Sequence, residues 1–301
     1  MKEKRWAYGL VMLSAVMWAF SGVFSTELGN MGFTALELGL VRTVIALLVT
    51  GLFFLVFDRS YFRLRTWKDL RLFLGMTLFG FCMYNVVYMA AVREMGISVA
   101  GALFYTYPAF VLLQSRVLFG QKITVKKAVV LAMTLCGCGA VCGIFGGGFS
   151  AISGLGLGYG FISAFCFGLY GVLGKKALSL YPSQTVTVYT FLIGSLAMLL
   201  FSHPADTLKK LAQPGALWLF VLFAMVVSVI PYLVYLKGLT QVEPATAAIL
   251  STLEPIVAAL LGVVYYKEAL TVEKICGIVL IIGAVCLMNS RVGEGWRLKK
   301  E

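Results

Sequence analysis

The chain has 301 residues, 60% of them hydrophobic and 13% charged, against about 25% charged in an average soluble chain. Long apolar runs without soluble linkers exclude a pair of soluble domains and make this a polytopic membrane protein. The formal charge of +12 does not read as a nucleic-acid footprint, because the lysines and arginines sit in short loops between apolar runs, where they set topology.

The amino end, MKEKRW followed by an apolar run, resembles a signal peptide but lacks a clear small-x-small cleavage site, so it reads as an uncleaved first span. Ten candidate spans follow one another at about 6–26, 35–57, 71–92, 96–118, 125–145, 154–175, 183–202, 215–237, 244–266 and 272–290. Each is close to the roughly 17–25 residues needed to cross about 30 Å of hydrocarbon. With the amino end inside, nineteen lysines and arginines fall on inner segments and five on outer ones, which places both termini in the cytoplasm. The seven cysteines all lie within apolar runs with no CxxC, and the one histidine is His203. Disulfide and metal chemistry is therefore not indicated, and no cofactor is expected. The glycine-rich GLGLGYG at 154–160 does not match a nucleotide-binding register and opens a span. Its small-xxx-small pairs, Gly154 with Gly158 and Gly156 with Gly160, suit close helix packing, as do Gly139 and Gly143.

The chain is written twice. An offset of 147 residues carries Ala247 onto Ala100, Pro255 onto Pro108, Tyr235 onto Tyr88, Thr271 onto Thr124 and Lys274 onto Lys127, and Glu254 onto Tyr107. An offset of 149 relates Ser163 and Gly171 to Ser14 and Gly22. Two units result, 1–150 and 151–301. Five spans per unit is odd, so the second unit must enter the membrane from the opposite face. The expected fold is all-α, ten transmembrane helices in two inverted five-helix repeats around a central cavity, an architecture in which solutes bind near the bilayer midplane.

Polar residues within the spans are few. Glu254 is the sharpest, since a carboxylate at mid-membrane costs about 3 kcal/mol. The adjacent Pro255 is expected to bend its helix there. Ser251 lies one turn before Glu254 on the same face. Arg42, in the second span, either holds an anionic group, pairs with Glu37 or another carboxylate, or snorkels to the near surface. Ser14, Trp18, Ser21 and Ser25 share one helical face, and Ser163, Phe167 and Tyr170 stand at the matching places of the repeat. Tyr84, Asn85 and Tyr88 in the third span answer to Ser228, Tyr232 and Tyr235 in the eighth, and the fourth span adds Tyr105, Tyr107 and Gln114. Buried polar groups seldom face lipid, so Glu254, Ser251, Tyr107, Trp18, Tyr170, Tyr88, Tyr235, Asn85, Tyr232 and Arg42 are the candidate lining of one aromatic-walled chamber. Interhelical hydrogen bonding is the alternative for any one of them.

The segment LEPIVAALLGVVYYKEALT at 253–271, followed by GIVLIIGAV at 277–285, is similar to the signature of the drug/metabolite transporter superfamily, EamA-type group, with SAVMWAFSGVF at 14–24 and Arg42 in further support. The family's Gly-Glu dipeptide reads Lys267-Glu268 here and Gly120-Gln121 in the first half, so that copy has lost the acid and a symmetric role for the two loops is not expected. The resemblance implies a ten-helix fold with a central cavity, alternating access, and export of amino acids, amines or other small metabolites. It also implies that the family's acidic residue maps to Glu254 and its second-span arginine to Arg42. The expected function is a secondary transporter of the cell membrane, a non-enzyme, with a small solute, membrane lipid and a proton or other ion as partners. A membrane-embedded enzyme acting on lipid and a channel are the competing classes. The first would need clustered acids, histidines or a metal, and the second a charged ring or filter.

Overall fold

The computed structural model describes residues 2–144, 153–202 and 204–289; His203, the basic run from Arg291 onward and residues 145–152 lie outside them. Helix is the regular structure among the described residues. The first unit contains α1 (Lys2–Ala19), α2 (Ser21–Asn30), α3 (Ala35–Phe57), α4 (Leu70–Leu74), α5 (Met83–Phe104), α6 (Tyr107–Phe119) and α7 (Val125–Val141). The second contains α8 (Gly154–Leu178), α9 (Ser183–Phe201), α10 (Pro204–Leu211), α11 (Ala216–Ala224), α12 (Ile230–Leu239), α13 (Pro244–Ser251), α14 (Leu253–Tyr266) and α15 (Val272–Asn289). A π-helical stretch joins α4 to α5 at Gly75–Cys82, and another joins α11 to α12 at Met225–Val229.

Seven helical segments are long and apolar enough to cross a membrane: 6–30, 35–57, 67–104, 154–178, 183–200, 216–239 and 244–266. Their outer surfaces carry large apolar side chains at exposures that water would not tolerate in such numbers, among them Val56, Phe57, Leu200, Trp218 and Val264. The expected boundary between the third and fourth spans falls at Gly96, whose φ of 78° and ψ of 164° leave the helical region, with helix continuing through residues 93–95 up to it. The expected span 96–118 is itself broken, at Tyr105–Thr106. Span 244–266 is likewise two helices, separated at Thr252.

Both breaks use the same device. Thr106 directs its backbone N–H (3.0 Å) and its hydroxyl (2.6 Å) to the Leu103 carbonyl. Thr252 does the same to Ile249, at 3.1 and 2.6 Å. Each tightens the last turn to an i→i+3 bond and ends the helix. The prolines therefore do not bend a continuous helix as expected. Pro108 and Pro255 stand in the first turn of α6 and α14, where no N–H is owed to a preceding carbonyl.

The correspondence at 147 residues extends to the turns. Gly120 closes α6 with φ 63°, and Lys267 closes α14 with φ 59°. The following amides return to equivalent carbonyls, Gln121 N to Ser115 O at 3.5 Å and Glu268 N to Gly262 O at 3.2 Å. Thr124 then caps the amide of Lys127 (3.2 Å), and Thr271 that of Lys274 (3.3 Å).

Helix α8 is a central post. A methyl group at Gly156 would lie 2.4 Å from Met95 Cγ, and one at Gly160 would lie 2.7 Å from Leu103 Cδ1, so this pair lets α5 approach closely. The pair Gly154 and Gly158 has nothing within 4 Å and does no such work. Helices α7 and α15 cross where a methyl at Gly137 would meet Gly277 O at 2.9 Å, and one at Gly277 would meet Gly137 O at 2.6 Å. The same two helices also meet where a methyl at Gly283 would lie 3.1 Å from Met133 Cε, which fixes them as antiparallel.

Candidate functional site

Breaking α13 from α14 puts Glu254 in the first turn of a new helix. There the amide dipoles favour a negative charge, which reduces the cost of keeping a carboxyl in this interior. Its polar neighbour is the Tyr105 hydroxyl, contributed by the equivalent break in the first unit. Glu254 opens onto a cavity of about 460 Å³ that is also lined by Trp18, Arg42, Tyr84, Asn85, Tyr88, Phe104, Phe167, Tyr232 and Lys274. The lining comes from α1, α2, α3, α5, α7, α8, α11, α12, α14, α15 and the π-helical stretch before α12, and so from both halves of the chain. Ala35, the exposed Ile97, Ser98, Glu268 and Lys274 also line it, so its mouth lies at the α14–α15 turn. Glu268 and Lys274 form an ion pair there at 2.8 Å.

The walls are aromatic. Tyr84 stacks on Phe104 with centroids 5.9 Å apart and meets Phe167 edge-on at 5.0 Å. Tyr88 tilts against Phe104 at 5.3 Å. On the other side Trp18 contacts Tyr232 at 5.5 Å and Tyr235 at 5.2 Å, and Tyr232 in turn packs on Tyr170 at 5.7 Å. Arg42 lies over the Phe223 ring, 5.2 Å from its centroid, a cation–π arrangement. Its Nε is buried without a hydrogen-bond partner. Of the alternatives for Arg42, pairing with Glu37 does not hold. Glu37 accepts from the Thr34 amide at 2.6 Å, closing the cap of α3, and from Lys210 Nζ at 2.8 Å.

Six of the ten sequence-derived candidates line the cavity: Glu254, Trp18, Tyr88, Asn85, Tyr232 and Arg42. Four stand behind it. Tyr107 is buried and donates its hydroxyl to the Ala248 carbonyl at 3.0 Å. Ser251 is buried in the last turn of α13 and is not part of the cavity lining. Tyr170 packs its backbone against Gly80, and Tyr235 reaches toward Gly171. These four support the wall instead of forming it, because helical periodicity finds an inward face without distinguishing the surface of a chamber from the layer beneath. Sequence reasoning passed over Phe104, Met89, Cys142 and Phe223, which are apolar and carry no polar signal, and Gly101, whose lack of a side chain leaves room beside Tyr88 and Cys142.

The opposite end of the bundle carries a tie between the two halves of the chain and another within the second half. Lys127 at the start of α7 pairs with Glu243 at the start of α13, at 2.8 Å. Lys175 Nζ donates to the carbonyls of Leu239, Thr240 and Val242 at 2.6, 2.8 and 3.1 Å, tying the α12–α13 turn to α8.

A model of the EamA-like transporter family matches residues 5–143 and again residues 154–290. The chain belongs to the EamA-like transporter family. Its curated relatives include an uncharacterized transporter of Archaeoglobus fulgidus, 26% identical over 94% of this chain and 96% of that one. They also include the uncharacterized transporter YdfC of Bacillus subtilis, 24% identical over 92% and 88%, and the uncharacterized inner membrane transporter YicL of Salmonella typhimurium, 23% identical over 93% and 93%. A protein of known crystal structure superposes with a TM-score of 0.77 at 18% identity, covering 94% of this chain and 96% of its own, which shows a shared fold. The chain is a multi-pass membrane protein of a transporter family.

Proposed function

We propose that this EamA-family protein is a secondary transporter of the cell membrane, carrying a small organic solute such as an amino acid or amine outward by alternating access between two inverted five-helix units, residues 1–150 and 151–301. The observation that carries the reading is Glu254: a carboxyl at a mid-span helix break, facing a two-unit aromatic chamber. A volume of about 460 Å³ falls in the range of roughly 300–1,000 Å³ typical of small-molecule sites. The rings offer apolar surface and cation–π faces to the body of a solute. Glu254 engages its amine or exchanges a proton with it, and Arg42 is placed to meet an anionic group.

The repeat correspondence and the nineteen-to-five charge asymmetry support ten spans with both ends in the cytoplasm. In that orientation the cavity mouth at Glu268 and Lys274 faces outward, and the Lys127–Glu243 end faces the cytoplasm. The arrangement is then an outward-open, inward-closed state, one of the two that alternating access requires.

The test is transport by purified protein in liposomes carrying a pH or potential gradient, with an amino-acid and amine panel, alongside Glu254→Gln and Glu254→Ala. Both variants should insert normally and lose saturable counterflow. Wild-type counterflow in both variants would remove Glu254 from the mechanism, and unsaturable flux in the parent protein would favour a channel.

A further inference from the structure

A second concavity lies outside the transport chamber, at the connector between α3 and α4. It measures about 220 Å³ and is lined by Phe62, Leu64, Arg65, Thr66, Trp67 and Tyr189. The connector is held by hydrogen bonds to the second unit. Tyr189 donates its hydroxyl to Phe62 O at 2.9 Å, the Arg65 amide donates to the Tyr181 hydroxyl at 2.8 Å, and that hydroxyl donates to Asp69 Oδ2 at 2.6 Å. Burial, and after it the Asp69 carboxylate, pushes the Tyr181 pKa up, so the group remains a donor.

The charge arrangement is one-sided. Arg59, Arg63, Arg65, Lys68 and Arg71 crowd into thirteen residues with only Asp58 and Asp69 for balance. Both acids are already engaged. Asp58 caps the Ser60 amide at 2.9 Å, and Asp69 takes the Tyr181 hydroxyl and the Thr66 amide. None of these cations lies within ion-pair distance of a carboxylate among the described residues. Trp67, 85% exposed, stands at the rim, and the end of α3, which leads into this connector, presents Phe53, Val56 and Phe57 outward. A guanidinium, a hydroxyl and an indole thus sit in the connector that follows an exposed apolar helix end.

We propose that this concavity binds the phosphate headgroup of an anionic phospholipid, with the guanidinium of Arg65 on the phosphate, Trp67 at the level of the glycerol, and the acyl chains along the exposed end of α3. Its size is below that of a typical metabolite site and suits a headgroup. Basic pockets beside spans select anionic lipid in this way, each cation contributing about a fivefold gain. The site stands apart from Glu254, so it does not depend on what the chamber carries.

Native mass spectrometry and thermal shift of the full chain in detergent, titrated with phosphatidylglycerol, phosphatidylcholine or inorganic phosphate, test it. Phosphatidylglycerol should bind more tightly than phosphatidylcholine. Arg65→Gln should weaken it about fivefold, Trp67→Ala should also weaken it, and Arg93→Gln, which removes the same charge elsewhere, should leave it unchanged. Arg65 keeps its backbone bond to Tyr181 in the Gln variant, so folding is preserved. Equal binding of the two lipids, an Arg65→Gln variant indistinguishable from wild type, or stabilisation by inorganic phosphate equal to that by phosphatidylglycerol would each overturn the proposal.

Discussion

The Tyr107 hydroxyl donates to the Ala248 carbonyl oxygen at 3.0 Å and so joins the helix break of one unit to that of the other. The Ala248 carbonyl is available because Thr252 has turned its amide to Ile249 instead. Tyr107 is the residue that the 147-residue offset equates with Glu254. One copy of this position braces the interface, and the other opens onto the cavity. Tyr107→Phe leaves a buried carbonyl without its donor, at a cost of about 1 kcal/mol. The apparent melting temperature in detergent should fall by roughly 2–4 °C with solute binding retained. A variant as stable as the parent would show that the bond contributes nothing.

Lys267 is the one described residue other than glycine with positive φ, at 59°. Its counterpart, Gly120, has φ 63°. A side chain in the left-handed region costs about 1–2 kcal/mol. Lys267→Gly should therefore raise stability by about 1 kcal/mol, partly offset by the greater freedom of glycine in the unfolded chain. Gly120→Lys should lower it by a similar amount. Thermal unfolding of the two variants measures both signs, and a shared direction of change would contradict the account.

Much of this was legible in the sequence, and the rest was hidden for identifiable reasons. The offset of 147 found the paired prolines and the paired turns because local backbone geometry repeats along with its residues. It did not find the breaks at Thr106 and Thr252. A hydrophobic run reads the same whether its helix is continuous or interrupted, and threonine marks an end only through the carbonyl it chooses. Glu254 and Arg42 stood out because charge is costly within lipid. Tyr107 and Tyr170 looked equivalent to Tyr88 and Tyr232, since which tyrosine reaches the chamber depends on interhelical distances set by glycines such as Gly80 and Gly160. The partner of Glu37 was missed because Lys210 lies 173 residues away, on α10.

Gly101 tests the chamber by filling it. It lines the cavity, and a methyl placed on it would sit 3.7 Å from the Tyr88 hydroxyl and 3.8 Å from Cys142 Sγ, ordinary contact distances. Gly101→Ala should be tolerated, with little change in stability or transport. Gly101→Leu projects three further carbons toward Tyr88 and should reduce solute affinity at least about tenfold, a loss of roughly 1.4 kcal/mol, while the protein still inserts. Isothermal titration with a transported solute separates the two. Undiminished affinity in the leucine variant would place the solute elsewhere.

The Lys127–Glu243 pair ties the first unit to the second at the end opposite the cavity mouth, and its partners differ in burial, with side-chain exposures of 14% and 55%. Solvent screening at Glu243 limits the attraction to about 0.2–1 kcal/mol, small for stability but enough to shift a two-state equilibrium about 1.4- to fivefold. Lys127→Glu or Glu243→Lys alone replaces attraction with repulsion, so each should favour opening at this end. Amide exchange over Ala245–Ala248 should then quicken about 1.4- to fivefold. The double exchange, Lys127→Glu with Glu243→Lys, restores an attractive pair and should return exchange toward the wild-type rate. Raising salt should move the wild type toward the single variants, because the partly exposed pair is screened. If the effects of the two substitutions simply add in the double variant, the pair does not hold the end shut, and closure rests on Lys175 and the carbonyls of Leu239, Thr240 and Val242.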